Sequence, residues 1–398
     1  MPWRETTVGE IVDFYDNKRI PLNSTERAVR KGSYPYYGAS GVVDYIDGYV
    51  FDGRYLLVAE DGENLNSRKL PVAFFARGRF WVNNHAHVVR GKEGVCDDAF
   101  LKHWFANANI SGYVTGAAQP KLSQSSLRRI EIRLPDYRGQ VQISCILSAY
   151  DDLIENNTRR IEILEEMARR LYENWFVQFR FPGHERVELK ESELGPIPEG
   201  WKVSALDEFG EIITGKTPSK NRSEFFGGSA PFIKLPDMHN NTFIIETNEK
   251  LSQEGVDSQK TKTIPPGSIC VSCIGTAGVV VITSEPSQTN QQINSIVPRA
   301  PELREFLFFA TTLLKDKINN YGATGATMTN LSRGKFSSLQ VVEPKEDLLC
   351  DYNKLAAPFF DKVLCLQKTN RNLRAQRDLL LPKLISGEIE VSDIPMPT

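Results

Sequence analysis

The sequence has few cysteines, no long apolar run and no secretory signal pattern, so it lacks the features that mark disulfide-rich, membrane and secreted proteins. It has six cysteines in 398 residues, so a disulfide scaffold is not expected. No apolar run approaches the roughly 20 residues needed to cross a bilayer. The N-terminus lacks the basic-then-apolar pattern of a secretory signal. We therefore expect a cytoplasmic protein without a membrane association.

An excess of charge of one sign is also missing. The formal net charge is −2, although a free-standing DNA-binding domain is usually basic because neutralising phosphates supplies much of its affinity. A near-neutral chain could still read DNA if its basic surface were local, or if partner subunits supplied further phosphate contacts. The length of 398 residues predicts two or more domains.

The motifs that suggest catalysis stand in unsuitable contexts. Residues 210–217, GEIITGKT, match the phosphate-binding loop pattern letter for letter. Two stiff isoleucines occupy the loop, however, and Pro218 with a polar stretch follows where a helix should begin. The favoured interpretation is a strand-to-loop transition. An NTPase that uses Gly215, Lys216 and Thr217 remains the alternative enzyme hypothesis.

Candidate metal ligands are few. Cys270 and Cys273 form a lone CxxC within an apolar strand pattern, so we expect buried cysteines that point to opposite faces. His85 and His87 would share one face of a strand, but no third ligand is close in sequence. A polar strand face near a binding surface is the favoured interpretation, and we expect no metal.

The sequence does contain an internal repeat. Each half has a tryptophan-led stretch, a glycine-led apolar segment, an asparagine-rich strand start and a glycine turn before an alternating strand. The matching segments are 3–11 with 201–206, 53–58 with 267–271, 83–89 with 290–296, and 116–135 with 325–344. Their offsets differ by a few residues, as loop insertions would cause. We interpret the halves as two diverged copies of one domain.

A long helical pattern follows each copy. Apolar residues recur at alternating steps of three and four from Leu147 to Trp175, which is the seam of a coiled coil. The second copy continues the seam from Ala356 to Leu384 with one charged exception, Arg377. Two amphipathic helices packed on separate cores are the alternative.

One asparagine interrupts each seam. If the two helices pair antiparallel about a pseudo-twofold axis, Asn157 lies opposite Asn370 and Arg377 lies opposite Tyr150. A seam asparagine costs stability but fixes the register of the helices. We therefore predict that this pair sets the helix register.

These patterns predict an α+β fold, in which two repeated α/β domains are separated by an antiparallel coiled coil of two long helices. The predicted parts are a first domain at 1–138, a first helix at 139–181, a linker at 182–200, a second domain at 201–346, a second helix at 347–386 and a tail at 387–398.

Four further features of the sequence are specific: YENWFV at 172–177, ELGPIPEGW at 193–201, GKTP at 215–218 and the duplicated Gly-Ala…Leu-Ser block. Together they resemble the specificity subunits of type I restriction–modification enzymes, over nearly the whole chain. The resemblance implies two target-recognition domains, each of which reads one half of a split, asymmetric double-stranded DNA sequence, and two helices that hold them apart.

The resemblance also implies partners. Two methyltransferase subunits would dock on this frame, and two translocase–nuclease subunits are further candidate partners. S-adenosylmethionine, ATP and Mg²⁺ would belong to those partners, so this chain is expected to bind no cofactor and to hold no catalytic residue. A scaffold whose repeats bind protein only is a second alternative function.

Reading bases requires amide, hydroxyl and basic side chains on loops. The candidates in the first domain are Tyr36, Tyr37, Ser40, Asn83, Asn84, His85, Gln119 and Lys121. Those in the second domain are Lys216, Thr217, Ser219, Lys220, Asn290, Gln291, Gln292, Thr329 and Asn330. The alternative for each residue is a purely structural role in a turn or at a strand end.

Overall fold

A computed structural model of the chain describes residues 2–116, 118–322 and 331–392. It divides into two compact units, Met1–Ile154 with Asn372–Thr398, and Glu155–Arg371. Each long helix contributes residues to both units. Among the described residues, no helix is long and apolar enough to cross a membrane.

The first unit contains most of the first sequence repeat. Its strands are β1 Trp3–Thr7, β2 Val12–Phe14, β3 Lys31–Gly38, β4 Gly41–Ile46, β5 Phe51–Ala59, β6 Ala73–Val82, β7 Ala86–Gly91 and β8 Glu131–Pro135. Its helices are α1 Val8–Ile11, α2 Ser24–Val29, α3 Asn64–Ser67, α4 Asp98–Asn107, α5 Gln124–Arg129 and the first part of α6, which spans Tyr137–Tyr172.

The second unit contains the second repeat. Its strands are β9 Leu189–Lys190, β10 Ile197–Pro198, β11 Lys202–Ala205, β12 Gly210–Thr214, β13 Phe226–Ile233, β14 Phe243–Ile244, β15 Glu249–Leu251, β16 Ile269–Ser272, β17 Val280–Thr283, β18 Gln288–Thr289, β19 Ile293–Pro298 and β20 Gln340–Glu343. Its helices are α7 Leu235–Met238, α8 Gln253–Asp257, α9 Arg304–Leu313, α10 Lys315–Gly322, α11 Arg333–Ser337 and the first part of α12, which spans Glu346–Ser386.

The two sheets have corresponding topologies. The first has the strand order β2-β7-β5-β6-β3-β4, and β3 and β6 are its parallel pair. The second has the order β12-β19-β16-β17-β14 with a separate β15-β13-β18 sheet, in which β13 and β18 are parallel. In the first domain the long β6 pairs with both β5 and β3. In the second domain two short strands take these positions, since β17 pairs with β16 and β18 pairs with β13. In both domains the first strand pairs antiparallel with the last, β1 with β8 and β11 with β20.

Alternation along the central strands places apolar residues on both faces of each sheet. In β5, Leu56 and Val58 belong to one buried cluster, whereas Leu57 belongs to another. Gly53 of β5 pairs with Gly78 of β6, and their φ angles are 121° and 73°. Residues with a side chain rarely adopt such angles, so this pair of glycines lets the β5–β6 hairpin bend.

The long helices run in opposite directions within each unit. In the second unit, Asn157 Nδ2 donates to Asn370 Oδ1 at 3.0 Å, and the rings of Tyr172 and Tyr352 have centroids 6.2 Å apart. The residue numbers therefore rise along one helix and fall along the other. The α+β fold predicted from the sequence, with a repeated domain followed each time by a long helix, is confirmed.

The charged residue in the second seam has a partner in the first unit. Arg377 Nη1 donates to Asp151 Oδ1 at 2.8 Å, one residue beyond the expected neighbour Tyr150. Lys102 Nζ donates to the other oxygen of Asp151 at 2.6 Å. Burial alone would raise the pKa of Asp151, but the neighbouring Lys102 and Arg377 hold it below its usual value. A charged seam position is accommodated because its partner is ionised.

The ends of the helices differ from the sequence-based expectation. The α6 helix stops at Tyr172, and a π-helical turn over Glu173–Val177 follows. Phe179 then adopts a φ of 57°, which turns the chain away from the helix direction. The segment after α12, expected to be a polar tail, buries Val391 in the apolar core of the first unit.

Candidate nucleic-acid interface

An asparagine turn joins two strands in each domain, β6 to β7 and β18 to β19. Asn83 Oδ1 accepts a hydrogen bond from the His85 amide at 2.8 Å, and Asn290 Oδ1 accepts one from the Gln292 amide at 3.1 Å. Both asparagine side chains are buried, so they stabilise the turn. The intervening residue, Asn84 or Gln291, is exposed in each copy.

Three segments of the first domain meet at this turn and form what we term the first loop junction (residues 60–62, 83–85 and 119–122). The Glu60 amide donates to the His85 carbonyl at 2.9 Å, and the Leu122 amide donates to the Glu60 carbonyl at 2.7 Å. Gln119 and Lys121 lie on the third segment with exposed side chains. Lys121 Nζ lies 3.5 Å from Glu60 Oε1, so part of its charge is balanced within the domain.

The second domain repeats the same backbone connections in what we term the second loop junction (residues 215–217, 273, 290–292 and 331). The Cys273 amide donates to the Gln292 carbonyl at 2.7 Å, and the Leu331 amide donates to the Cys273 carbonyl at 3.0 Å. The repeat found in the sequence therefore extends to individual hydrogen bonds. Thr329 and Asn330, predicted as contacts, lie outside the described residues.

The β3–β4 turn lies beside the first loop junction. A side chain on Gly38 would come within 3.3 Å of Asn83 Nδ2, and Ser40 in the same turn is exposed. Tyr37 is half-buried, with its ring edge-on to Phe80 at 5.6 Å, and this burial raises the pKa of its hydroxyl.

Tyr36, which was predicted to contact DNA, does not lie on the surface of the domain. Its side chain is completely buried, and the Leu22 amide donates to its hydroxyl at 2.9 Å. The parallel pairing of β3 with β6 directs this ring into the domain, so it is not available to contact DNA in this structure.

The two histidines of the first domain have separate partners. His85 is partly exposed, and its Nδ1 lies 2.7 Å from Asp61 Oδ2. His87 is completely buried, with Nδ1 2.6 Å from Asp16 Oδ2 and Nε2 2.8 Å from the Leu122 carbonyl. Within the described part of the chain, no group of three or more His, Cys, Asp or Glu residues could hold a metal ion.

The partners of His87 form a buried polar group that sequence reasoning missed. Burial alone would raise the pKa of Asp16, but the hydrogen bond and charge of His87 and the nearby Arg19 bring it below its usual value. Gln124 Nε2 also donates to Asp16 Oδ2 at 2.8 Å. Asp16 lies 71 residues from His87, so no local sequence signal connects them.

Residues 210–217 do not form a phosphate cradle. Strand β12 ends at Thr214, and no α-helix starts at Lys216; the next helical turn is a 3₁₀ turn at Ser223–Phe225. A Cβ on Gly215 would overlap backbone atoms of Thr289 and Asn290. The glycine is therefore required for packing against β18, and the NTPase alternative has no support in this geometry.

The segment after Gly215 is held against the second asparagine turn. The Lys216 amide donates to the Thr289 carbonyl at 2.9 Å, and Thr217 Oγ1 donates to Gln291 Oε1 at 2.7 Å. The side chain of Lys216 is exposed, as are those of Ser219 and Lys220 further along the segment.

A pair of buried glutamines, which the sequence analysis did not identify, contacts the backbone of this segment. Gln259 Nε2 donates to the Lys216 carbonyl at 2.7 Å and to Gln288 Oε1 at 2.7 Å. Gln288 Nε2 in turn donates to Thr263 Oγ1 at 2.9 Å. Glutamines in a polar stretch resemble surface residues in sequence, and only the fold shows that these are buried.

The two CxxC cysteines are buried, Cys270 within β16 and Cys273 directly after the end of that strand. Cys270 belongs to one apolar cluster and Cys273 to another. Burial raises the pKa of Cys270 to about 12 and that of Cys273 to about 11. Both therefore remain protonated thiols near neutral pH, which is unfavourable for metal binding.

Comparison with known proteins agrees with the duplicated architecture. The family model described as "Type I restriction modification DNA specificity domain" matches residues 1–166 and again residues 198–363. The specificity subunit of the type I restriction enzyme HindI from Haemophilus influenzae is 35% identical over 407 residues, covering 85% of this chain and 84% of the relative. The MjaIX specificity subunit from Methanocaldococcus jannaschii is 25% identical and covers 98% of this chain and 97% of its own.

A solved structure shares the fold. The S subunit of a type I restriction–modification system from M. genitalium superposes with a TM-score of 0.67 over 96% of both chains, at 17% sequence identity. The sequence motifs, the doubled family match and the doubled loop junction all lead to one assignment. This chain belongs to the type I restriction–modification DNA specificity family, and it carries two target-recognition domains.

Proposed function

We propose that each recognition domain reads one half of a bipartite, asymmetric DNA sequence through its loop junction. The observation that carries this proposal is the repetition of the same backbone junction with different exposed side chains. Because the backbone is the same and the hydrogen-bonding groups differ, the two surfaces suit different base sequences.

The exposed and partly exposed groups of the two surfaces differ in chemistry. The first surface offers Ser40, Asn84, His85, Gln119 and Lys121, and the second offers Lys216, Thr217, Ser219, Lys220, Gln291 and Gln292. Amide groups suit adenine, and lysine suits guanine, when they approach the major groove. In this proposal the buried Tyr36, Asn83 and Asn290 support the loops instead of contacting bases.

In the complete enzyme, we propose that this chain reads DNA in the cytoplasm while its partners perform catalysis. Two methyltransferase subunits would dock on the long helices, and translocase–nuclease subunits would join them. S-adenosylmethionine, ATP and Mg²⁺ would be bound by these partners. Two features support docking at the helices. Met167 and Leu355 are exposed there, and they line a groove together with Leu171 and Phe359.

Under the same proposal, the long helices set the length of the unread spacer between half-sites. Proteins that read two half-sites depend on a defined separation between their reading elements. The pair Asn157–Asn370 supports this role, because both amides are buried and hydrogen-bonded to each other.

The test replaces residues 1–138 with the equivalent domain of a relative of different specificity. Methylated adenines are then mapped in the DNA of a host that expresses the hybrid with its partners. We expect one half of the recognised sequence to change and the other half to stay the same. The reciprocal replacement of 201–346 should change only the other half, and a change in both halves after either replacement would contradict the proposal.

A further inference from the structure

Each domain buries one polar side chain at an equivalent place behind its loop junction. His87 pairs with Val58 across β7 and β5, and Asn294 pairs with Val271 across β19 and β16. Each lies two residues after the end of its asparagine turn. His87 Nε2 lies 2.8 Å from the Leu122 carbonyl, and Asn294 Nδ2 lies 3.4 Å from the Leu331 carbonyl.

The partners on the opposite side are also equivalent, but they differ in charge. His87 Nδ1 lies 2.6 Å from Asp16 Oδ2 in the first domain. In the second domain, Thr214 Oγ1 donates to Asn294 Oδ1 at 2.6 Å. The first domain thus has an ionisable pair where the second has a neutral one.

The geometry at His87 suits a ring that carries a proton on each nitrogen. The Leu122 carbonyl can only accept a hydrogen bond, so Nε2 must carry a proton. Asp16 also accepts from Gln124 and from the Val88 amide at 2.8 Å each, as an ionised carboxylate does, and Nδ1 then donates to it. A neutral imidazole has a single N–H and would have to release one of these two acceptors.

Among the described residues, the charged groups that contact this site belong to the first domain. Glu60 Oε2 lies 3.6 Å from His87 Nδ1, and Arg19 Nη1 lies 2.8 Å from Glu60 Oε2. Arg19 Nη2 also lies 3.5 Å from Asp16, and Lys121 Nζ lies 3.5 Å from Glu60. The segment that ends at Leu122 carries Gln119 and Lys121, so release of its carbonyl would loosen the base-reading side chains of this domain alone.

We propose that His87 is a positioning residue whose doubly protonated ring holds the first loop junction in its reading conformation, so that the first domain reads its half-site in a pH-dependent manner and the second domain does not. This inference rests on the proposed function. A neutral His87 ring would keep only one of its two hydrogen bonds, which would reduce discrimination at one half-site.

The experiment uses the full chain purified with its methyltransferase partners, and DNA duplexes that carry the target sequence mapped from methylated adenines. Binding to the target is compared with binding to duplexes altered in one half-site or the other, from about pH 6 to about pH 9, which spans the ordinary titration range of imidazole. We expect discrimination at the half-site of the first domain to fall about tenfold, as loss of one charged hydrogen bond would cause. Discrimination at the second half-site should stay constant.

Exchange variants separate this role from a merely structural one. The double variant Asp16→Thr, His87→Asn gives the first domain the neutral pair of the second, and its discrimination should become independent of pH. The reciprocal variant Thr214→Asp, Asn294→His should make the second half-site pH-dependent. His103→Gln removes a buried histidine of the same unit that contacts Ser148 and is not on the reading surface, and the pH dependence should persist in it. Thermal unfolding of each variant verifies that it is folded.

The results divide clearly. Equal pH responses at the two half-sites, constant discrimination at both, or loss of the pH dependence in His103→Gln would each overturn the role of His87. A complex that discriminates at neither half-site at any pH would overturn the proposed function and this inference with it.

Discussion

At the scale of single residues, close packing against strand β18 leaves no room for a side chain at Gly215. A Cβ there would overlap backbone atoms of Thr289 and Asn290. We expect Gly215→Ala to lower the free energy of unfolding by about 1–3 kcal/mol because the strand must move. The matched control is Gly334→Ala, since a Cβ at that helical position meets no atom within 4 Å and alanine favours helix. Chemical denaturation measures both, and equal effects would contradict this explanation.

Lys216 follows this glycine with its side chain exposed. If it contacts a DNA phosphate or base, Lys216→Ala should weaken binding and reduce the salt dependence of the binding constant by about one ion. Lys190→Ala, which removes an exposed lysine of the linker, is the control for net charge. ATP binding by the purified chain that is abolished in Lys216→Ala would instead support the NTPase alternative.

At the scale of elements, the buried Asn157–Asn370 hydrogen bond places a polar contact in the apolar seam between the two long helices. Asn370 Nδ2 also lies 3.3 Å from Thr158 Oγ1. Replacing one asparagine by leucine should leave the other amide poorly satisfied, at a cost of about 1–3 kcal/mol. Replacing both should raise thermal stability above that of the wild type, because two buried polar groups become apolar.

The same pair tests the register hypothesis. The double leucine variant should tolerate a wider range of spacer lengths between the half-sites, since apolar seams specify register less strictly than a polar pair. Thermal unfolding and binding to duplexes of altered spacer length measure the two effects. A double variant that is less stable than both single variants would show that the amides stabilise the pair instead of specifying it.

At the scale of the whole molecule, the first unit is built from both ends of the chain. Leu384, Ile385 and Val391 are buried in the same apolar cluster as Leu147. A Cβ on Gly387 would lie 2.8 Å from ring atoms of Trp3. The residues after the second helix are thus part of the first unit's core.

This construction affects any exchange of domains. A hybrid that carries a relative's residues 1–138 retains the original residues 372–398, so its first core combines unmatched surfaces. We expect a loss of about 1–3 kcal/mol in the free energy of unfolding. Replacing 372–398 with the relative's segment as well should restore most of it, as measured by chemical denaturation. No difference between the two hybrids would mean that these contacts contribute little.

The sequence alone determined the two-copy organisation, the α+β class and the long helices. These properties follow from periodic burial, which repeats along the chain and leaves a local pattern of apolar residues. It also located the seam asparagines, because a polar residue that interrupts a regular pattern is visible without knowledge of its partner. The asparagine-rich segments were located too, although as strand starts, whereas the structure places their first residues in turns. The family followed from motifs of the same local kind.

Only the tertiary structure decided which polar residues face inward and what they contact. Tyr36 and His87 carry polar groups in segments that the sequence predicts to lie near a binding surface, yet both side chains are completely buried. Their partners come from distant segments, such as Asp16 for His87 and the Leu22 backbone for Tyr36. The burial of Val391 likewise depends on a core formed by the opposite end of the chain. A buried polar group is stable only when its hydrogen bonds are satisfied, and those partners are brought together by folding rather than by spacing along the chain.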